Sequence, residues 1–395
     1  MRRTRVSSTA LRSFLQNKTA GGLPDLEVRP SVFLYDLQTV ICKSAKNYTK
    51  KGTNMQLLYF FESIRNPVCD FLFSAVTYLG GETVFLALAI AVFWCIDKRE
   101  GYYIFFTGLF GTLLNQALKL IFKIPRPWVK DPDFTIVESA RAEATGYSFP
   151  SGHTQNATGT FGAIAAFDYT KRRRLRPVVF LSVLILLVAV SRMYLGVHTP
   201  LDVSVSFAIA LILVFALRPF FTDEKRFRGA MPYFALAGWL FSGALVLYTH
   251  LLPDGAADAA NLASARSNSL ALHGAAIGIA FTWVLDSRWL DFRVGGRWYA
   301  RVAELLIGLG AVLLLKAGLK VPAEFLCFGN AGVARVVRYF LVVAFAGVIY
   351  PLAFPWFAKW ECTPLDRFGT WVASLFSRKK QDGKEGPAAG ESKNF

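Results

Sequence analysis

Residues 191–202 read Ser-Arg-Met-Tyr-Leu-Gly-Val-His-Thr-Pro-Leu-Asp and join two apolar runs. Two more polar stretches, Lys119 to Pro127 and Pro150 to His153, also stand at the ends of apolar segments long enough to cross a bilayer. Charged groups are expensive in hydrocarbon, and those retained there usually serve a function. Because the three stretches bring together the cations Lys119, Arg126 and Arg192 with two histidines and a carboxylate, they predict an anion pocket with chemistry available inside it.

The composition is that of an integral membrane protein. Of 395 residues, 54% are hydrophobic and the mean hydropathy is +0.38. Only 18% are charged, against about 25% in an ordinary soluble domain. The net charge of +17 lies mostly in short loops between apolar runs, as in the positive-inside rule. No basic face is interleaved with exposed aromatics, so nucleic acid is not an expected partner. The sequence leaves the oligomeric state open.

The five cysteines do not form a recognisable site. None is spaced as Cys-x-x-Cys, and none stands in a cluster of metal-ligand residues. They are expected to be small apolar fillers, and the sequence supports neither a disulfide framework nor a zinc site.

Apolar segments predict an all-α, multi-span helical bundle in the membrane. A span needs about 20 mostly apolar residues, and roughly nine segments qualify within the margin of such boundaries: 82–97, 101–122, 152–169, 177–195, 200–217, 230–250, 268–285, 302–318 and 339–358. Segment 56–79 carries Glu62, Arg65 and Asp70 and is interrupted at Asn66-Pro67. It is therefore expected to form two amphipathic helices at the interface, although a crossing is the alternative.

The basic loops set an expected orientation. Arginines and lysines cluster in 171–176, 218–228 and 288–301, which are alternate loops and are therefore predicted to be cytoplasmic. All three polar stretches then face the outside of the plasma membrane. With nine spans, however, a cytoplasmic C-terminus would put the basic N-terminus outside. A later start, or a crossing by 56–79, would relieve that conflict.

Four regions are expected along the chain. Residues 1–54 form a basic arm that is either disordered or absent from the native protein, since the purine-rich codons before Met55 resemble a ribosome-binding site if the source is bacterial. Residues 55–220 form a core with an interfacial lead-in and five spans, and 221–360 form an accessory four-span domain. Residues 361–395 form a polar cytoplasmic tail, disordered from Ser377. Polar residues in the accessory spans indicate packing and snorkelling, with a second lipid cavity or an acceptor site as the alternative.

His198 and Asp202 are spaced for catalysis. Four residues apart on a helix, they would share one face, and the carboxylate would accept a proton from one imidazole nitrogen. The other nitrogen would then be an aimed nucleophile.

The stretch from Pro150 to His153 is expected to open a helix. Its first turn offers free N–H groups and a positive dipole end, which attract phosphate. Ser151 would cap the helix or donate a hydroxyl, Gly152 would allow close approach, and His153 would point into the same volume. The plain alternative is a capped helix with an incidental histidine.

Three cations complete the predicted dianion site. Lys119 and Arg126 lie about two helical turns apart, although the flanking prolines should end the helix and place Arg126 on a stiff loop. Arg192 offers a planar fork for phosphate oxygens. Snorkelling to headgroups is the alternative for Lys119 alone. No cluster of Asp, Glu or His suggests a metal, so neither a metal nor another cofactor is expected.

These three stretches, in this order and spacing, resemble the signature of the type-2 phosphatidic acid phosphatase superfamily. That family's pattern is Lys, six residues, Arg-Pro; then Pro-Ser-Gly-His; then Ser-Arg, five residues, His, three residues, Asp. This chain matches it without a departure at 119–127, 150–153 and 191–202. The resemblance covers about 80–220.

The resemblance implies a catalytic or binding role for each candidate residue. His198 would attack phosphorus to form a phosphohistidine, oriented by Asp202, and His153 would protonate the leaving oxygen. The phosphate would be held by Lys119, Arg126, Ser151, Gly152 and Arg192. The membrane setting is similar to that of the lipid phosphatases in the family, and Tyr147-Ser148-Phe149 and segment 56–79 are similar to bacterial members. The candidate substrates are polyprenyl diphosphate, phosphatidic acid, phosphatidylglycerophosphate or a sphingoid phosphate.

The sequence leaves three functions open. The first is a metal-independent membrane lipid phosphatase or diphosphatase. The second is a lipid phosphotransferase that uses the same phosphohistidine. The third is a membrane protein that only binds or transports phospholipid, although gripping phosphate would need no oriented nucleophile.

Overall fold

The fold is all-helical, as the apolar pattern predicts. The computed structural model describes residues 53–253 and 259–381, and no β-strand occurs within these ranges. The predicted basic arm therefore lies almost entirely outside the described residues. The helices, in chain order, are α1 Thr53–Ser63, α2 Pro67–Thr77, α3 Glu82–Cys95, α4 Lys98–Phe122, α5 Pro127–Lys130, α6 Gly152–Arg172, α7 Leu175–Tyr194, α8 Pro200–Thr222, α9 Glu224–Leu251, α10 Ala259–Leu285, α11 Trp298–Gly318, α12 Lys320–Leu326, α13 Ala331–Ala344, α14 Phe354–Ala358 and α15 Thr363–Gln381.

Two short helices precede the first long one, with the predicted break between them. The Asn66 side chain caps α2 by accepting a hydrogen bond from the Cys69 N–H at 3.0 Å, and Pro67 occupies the first turn. A 3₁₀ turn at Tyr78–Gly80 then leads into α3 with a bend of 48°. Since the bent segment is apolar enough for a broken span or a re-entrant loop, the interfacial position of α1 and α2 stays a prediction.

The predicted count of about nine spans is not confirmed. Six helical segments within the described ranges qualify as spans, and up to eight qualify if each bent helix pair counts as one. Helix α6 does not qualify, although its 21 residues would reach about 30 Å. Threonines and a glutamine, which are buried against other helices, lower its mean hydropathy.

Helix α6 occupies the centre of the helix group that carries the three polar stretches. It packs against α3, α4, α7 and α8. Small residues permit this close packing: a Cβ at Gly111 of α4 would approach the Gln155 side chain to 2.8 Å. Phosphate-site candidates at the start of α6 are thus surrounded by protein.

The accessory helices α9–α13 contact the core helices at several separate positions. Helix α10 packs on α9 and α13, and it also contacts α4. The Lys98 ammonium at the start of α4 pairs with Asp286 at 3.0 Å, and the Trp94 indole N–H donates to the Ala346 carbonyl at 2.9 Å. The accessory helices therefore pack directly against the core helices.

The predicted polar tail begins as a helix. Residues Thr363–Gln381 form helix α15, so the disorder predicted from Ser377 is wrong for residues 377–381. Arg297 anchors the beginning of this segment through ion pairs to Glu361, at 3.0 Å, and to Asp366. Apolar residues at helical spacing, Leu365, Phe368 and Trp371, gave this helix a periodic pattern that its overall polarity conceals. Residues 382–395 lie outside the described part.

Candidate functional site

All three polar stretches meet at one end of the bundle. The Asn115 amide of α4 donates to the Pro150 carbonyl at 3.3 Å. The Ser151 N–H donates to the Asp202 carbonyl at 3.2 Å, which ties the start of α6 to the start of α8. Arg126 and His198 are in direct contact. Residues far apart in sequence are thereby gathered into one site.

Arg126 is fixed by backbone carbonyls rather than left to swing from its loop. Its Nη2 donates to the Thr145 carbonyl at 2.8 Å, its Nε to Gly146 at 3.2 Å, and its Nη1 to Val197 at 3.0 Å. The residue is 5% exposed. Pro127 begins the short helix α5 and sets the direction of the chain at this point. The planar fork matches three acceptors at once, an arrangement that an ammonium group cannot reproduce.

His198 presents one nitrogen to a cation. Arg126 Nη1 lies 3.0 Å from His198 Nε2. Because a guanidinium can only donate, Nε2 must carry the lone pair and the ring proton must sit on Nδ1. Burial, together with the charges of Arg126 and Arg192, lowers the pKa of His198 well below its ordinary value. The imidazole is therefore neutral at physiological pH, with Nε2 as its basic atom.

Asp202 lies beside His198 but not in the predicted helical register. Helix α8 begins at Pro200, so His198 precedes it and the two residues do not share a helix face. They are neighbours because Asp202 and Thr199 form a capping box, in which Asp202 Oδ2 accepts from the Thr199 N–H at 2.8 Å. The same oxygen accepts from the Ser148 hydroxyl at 2.6 Å.

The carboxylate of Asp202 approaches the nucleophile candidate without a formed hydrogen bond. Its Oδ2 is 3.5 Å from His198 Nδ1, and Nδ1 has no hydrogen-bond partner in the described chain. Both residues are almost fully buried. A separation of 3.5 Å leaves the proton on Nδ1 facing a negative charge, so the tautomer inferred from Arg126 and the position of Asp202 agree.

His153 contacts a carboxylate that the sequence pattern did not reveal. Its Nε2 lies 3.0 Å from Glu143 Oε2, on the loop before α6. The hydrogen bond with His153 lowers the pKa of Glu143, which is therefore ionised at neutral pH. The backbone at His153 is also tightly approached, since a Cβ on Gly80 would lie 2.6 Å from the His153 carbonyl oxygen. Glycine at position 80 therefore allows the turn before α3 to pack against the start of α6.

Arg192 is a buried cation with an unused donor. Its Nη1 donates to the Thr77 hydroxyl at the end of α2, at 2.7 Å. Its Nε has no partner in the described chain, although the residue is 1% exposed. Helix α2 therefore supplies a partner for Arg192 that no motif in the sequence indicated. An unpaired buried donor is costly and calls for an explanation.

Ser151, Gly152 and Lys119 stand at helix ends, as expected. The Ser151 hydroxyl accepts from the Thr154 N–H at 3.4 Å and caps α6, which begins at Gly152. A Cβ at Gly152 would meet only Asn115 Oδ1, at 4.0 Å, so packing within the protein does not demand glycine there. Lys119 lies in the last turn of α4. All the predicted site residues thus lie at the same end of the bundle.

The described residues contain no evident metal-binding site. Between 53 and 253 and between 259 and 381, no group of three or more His, Cys, Asp or Glu side chains is arranged to hold an ion. The site combines three cations with Asp202 and Glu143, a surplus of positive charge suited to an anion.

Comparison with known proteins identifies two family regions. Residues 100–226 match the PAP2 superfamily, and residues 270–359 match the transmembrane extension of PAP2 superfamily phosphatases. The first region contains all three polar stretches. The second falls within the predicted accessory domain, although the boundaries of that domain stay a prediction.

Two bacterial proteins are similar over most of their length. Phosphatidylglycerophosphatase B of Bacillus subtilis (strain 168) is 29% identical over 175 residues, covering 42% of this chain and 81% of that protein. Undecaprenyl-diphosphatase BcrC of the same organism is 32% identical over 167 residues, covering 40% and 81%. The crystal structure of Aquifex aeolicus LpxE aligns with a TM-score of 0.38 and 26% identity, covering 43% of this chain and 96% of that one.

The family and the enzyme class predicted from the sequence are confirmed by these comparisons. The match to undecaprenyl-diphosphatase BcrC spans four fifths of that protein, and the superfamily match contains every predicted site residue. The chain therefore belongs to the PAP2 superfamily of phosphatases.

Proposed function

We propose that this protein is a membrane lipid phosphatase or diphosphatase that works through a phosphohistidine at His198, without a metal ion. The observation that carries the proposal is the 3.0 Å contact between Arg126 Nη1 and His198 Nε2. It joins a phosphate-binding cation to the nitrogen that bears a lone pair. Phosphoryl transfer depends mainly on positioning and charge stabilisation, which this pair supplies.

The reaction has two steps. His198 Nε2 attacks phosphorus, and the bond between phosphorus and the lipid oxygen breaks as His153 gives that oxygen a proton. Glu143 stabilises the positive form of His153 through the contact at Nε2. Water then attacks the phosphohistidine, His153 takes the proton of that water, and inorganic phosphate leaves. Asp202 keeps the Nδ1 proton of His198 in place throughout.

The charge of the phosphate is balanced by groups from all three stretches. Lys119, Arg126 and Arg192 neutralise the oxygens, and the unpartnered Nε of Arg192 becomes a donor to one of them. Arg126 exchanges its contact with Nε2 for a phosphate oxygen, which uncovers the nucleophile. The N–H groups at Gly152 and the Ser151 hydroxyl add donors at the positive end of α6.

The setting favours a lipid substrate at the outer leaflet. Six to eight segments in the described residues are long and apolar enough to span a membrane, and the basic loops lie at the end opposite the site. The site therefore opens on the extracytoplasmic face, and the C-terminal tail is cytoplasmic. Two similar proteins are named for phosphatidylglycerophosphate and undecaprenyl diphosphate activities. Phosphatidylglycerophosphate and undecaprenyl diphosphate are therefore the first candidate substrates.

A substrate panel tests this function. Purified protein in detergent micelles should release phosphate from at least one of phosphatidylglycerophosphate, phosphatidic acid, undecaprenyl diphosphate or a sphingoid phosphate. Activity should persist in EDTA and fall with vanadate, which mimics the trigonal-bipyramidal transition state. A requirement for added magnesium would contradict the all-cation site, and binding of these lipids without phosphate release would indicate a binding protein.

Glu143→Gln tests the role of the carboxylate beside His153. We expect kcat to fall about 10- to 100-fold, the usual effect of losing a charge-assisted hydrogen bond. The change should appear in kcat more than in KM, because Glu143 does not bind the phosphate. Glu138→Gln, an exposed residue on the same loop, is the matched control and should keep wild-type kinetics. An unchanged kcat in Glu143→Gln would exclude this role.

A further inference from the structure

A narrow cavity lies between the phosphatase core and the accessory helices. One wall belongs to the last turns of α4 and includes Gln116 and Lys119. The facing wall belongs to α10 of the accessory helices, and the volume is about 30 Å³. Lys119 thus belongs both to the predicted phosphate site and to the rim of this cavity. No catalytic step described above uses the residues of α10.

The α10 wall is a polar face on a membrane helix. Asn261, Ser264 and Asn268 recur at intervals of three and four residues, so they lie on one side of the helix. Polar residues in membrane helices usually face the bundle interior or a cavity. Here they line the cavity beside Lys119 and are partly shielded from the surroundings. This face points at the core rather than at lipid.

A third wall connects the cavity to the phosphate-binding guanidinium. It comprises Thr145, Gly146 and Tyr147. The carbonyls of Thr145 and Gly146 accept the hydrogen bonds that hold Arg126. The cavity is therefore separated from Arg126 by a single layer of backbone. Lys119, which would hold the phosphate, also lines the cavity, so the two sites share a wall.

The chemistry of the lining selects the kind of group. Lys119 is the one charged side chain among the lining residues, and the other polar ones carry amides and hydroxyls. Such a lining binds a hydroxyl group, whereas a second phosphate would need further cations. The volume of about 30 Å³ holds roughly two water-sized groups, which suits a hydroxyl with one water and is too small for a phosphate.

We propose that this cavity is a headgroup subsite in which Ser264 and Asn268 of the accessory helix α10 bind a hydroxyl group next to the reacting phosphate. The accessory helices thereby determine substrate preference. This inference rests on the proposed lipid phosphatase function and adds a substrate class to it: lipid phosphates whose headgroup carries a hydroxyl, such as phosphatidylglycerophosphate, in preference to phosphatidic acid, which has none there.

The test compares these two lipids with one pair of substitutions. In Ser264→Ala/Asn268→Ala, we expect KM for phosphatidylglycerophosphate to rise about 10-fold, because two neutral hydrogen bonds are lost. For phosphatidic acid, kcat and KM should stay within about 2-fold of wild type. Asn268→Gln, which keeps the amide, should recover part of the preference. Ser267→Ala is the matched control, since Ser267 lies on the same helix without lining the cavity.

The outcomes distinguish failure of the proposed subsite from failure of the proposed phosphatase function. If the wild-type protein hydrolyses both lipids and the double variant keeps the wild-type ratio of kcat/KM, the subsite is excluded while the phosphatase stands. An equal loss on both lipids also excludes it, because that result reports damage to the common phosphate site. If the wild-type protein hydrolyses neither lipid nor any other in the panel, the proposed function fails and this inference fails with it.

Discussion

His198→Ala should release no measurable phosphate, a loss of about 10⁴-fold or more in kcat. In the proposed mechanism, the alanine removes the nitrogen that bonds to phosphorus. The effect should be the same for every lipid substrate, because each would pass through the proposed phosphohistidine. Release of inorganic phosphate from radiolabelled lipid in micelles measures the effect.

The variant must be shown to be folded. His198 is buried, but alanine leaves no charge or unpaired polar side chain in its place. We therefore expect size-exclusion profiles and thermal unfolding close to wild type. His250→Ala changes an exposed histidine of α9 and serves as the control with full activity. A well-folded His198→Ala protein with activity near wild type would refute the mechanism.

Arg126→Lys should lower kcat/KM roughly 10²- to 10³-fold, the usual effect of losing a preorganised donor that stabilises the transition state. The positive charge is retained, but an ammonium cannot contact Thr145, Gly146 and Val197 while it also reaches a phosphate oxygen. The loss should be similar for all phosphate substrates. Steady-state kinetics on two lipids measure it.

A neighbouring arginine provides the control for that substitution. Arg141→Lys changes a half-exposed residue on the same loop, whose partner is Glu138. Its kcat/KM should stay within about 2-fold of wild type, because surface ion pairs contribute little. If Arg126→Lys were as active as Arg141→Lys, the guanidinium geometry would not matter and the site as described would be wrong.

Local sequence signals predicted the helix ends that form the site. Ser151 was expected to cap a helix beginning at Gly152, and it does so. Asn66-Pro67 was expected to interrupt the lead-in, and the asparagine caps α2. Such signals are reliable because capping depends on residues a few positions apart. The shared end of the three stretches was predicted instead from the alternate basic loops.

Contacts between distant residues could not be predicted from spacing. Glu143 beside His153 and Ser148 beside Asp202 come from the irregular segment before α6. Thr77 beside Arg192 comes from the end of another helix, α2. The register of His198 and Asp202 was also mistaken, because the helix begins after the histidine and a capping box makes them neighbours. A spacing of four residues is compatible with both arrangements.

The span count shows where hydropathy fails as a guide. The sequence predicted a span at 152–169, but the buried threonines of helix α6 keep its mean hydropathy below that of a span. The lead-in helices raise the converse difficulty, since α2 and α3 are each short but form a bent apolar pair. For α6 and for the pair α2 and α3, packing against other helices bears on whether the segment is a span, and hydropathy does not report that packing.

The most direct test is capture of the covalent intermediate. Protein mixed with lipid carrying a ³²P-labelled terminal phosphate should be quenched with alkali within milliseconds and digested. The account predicts label on the peptide containing His198, stable in alkali and lost in acid, and no label on His198→Ala. Label on another residue, or phosphate release at the full wild-type rate with no labelled peptide at any quench time, would contradict it.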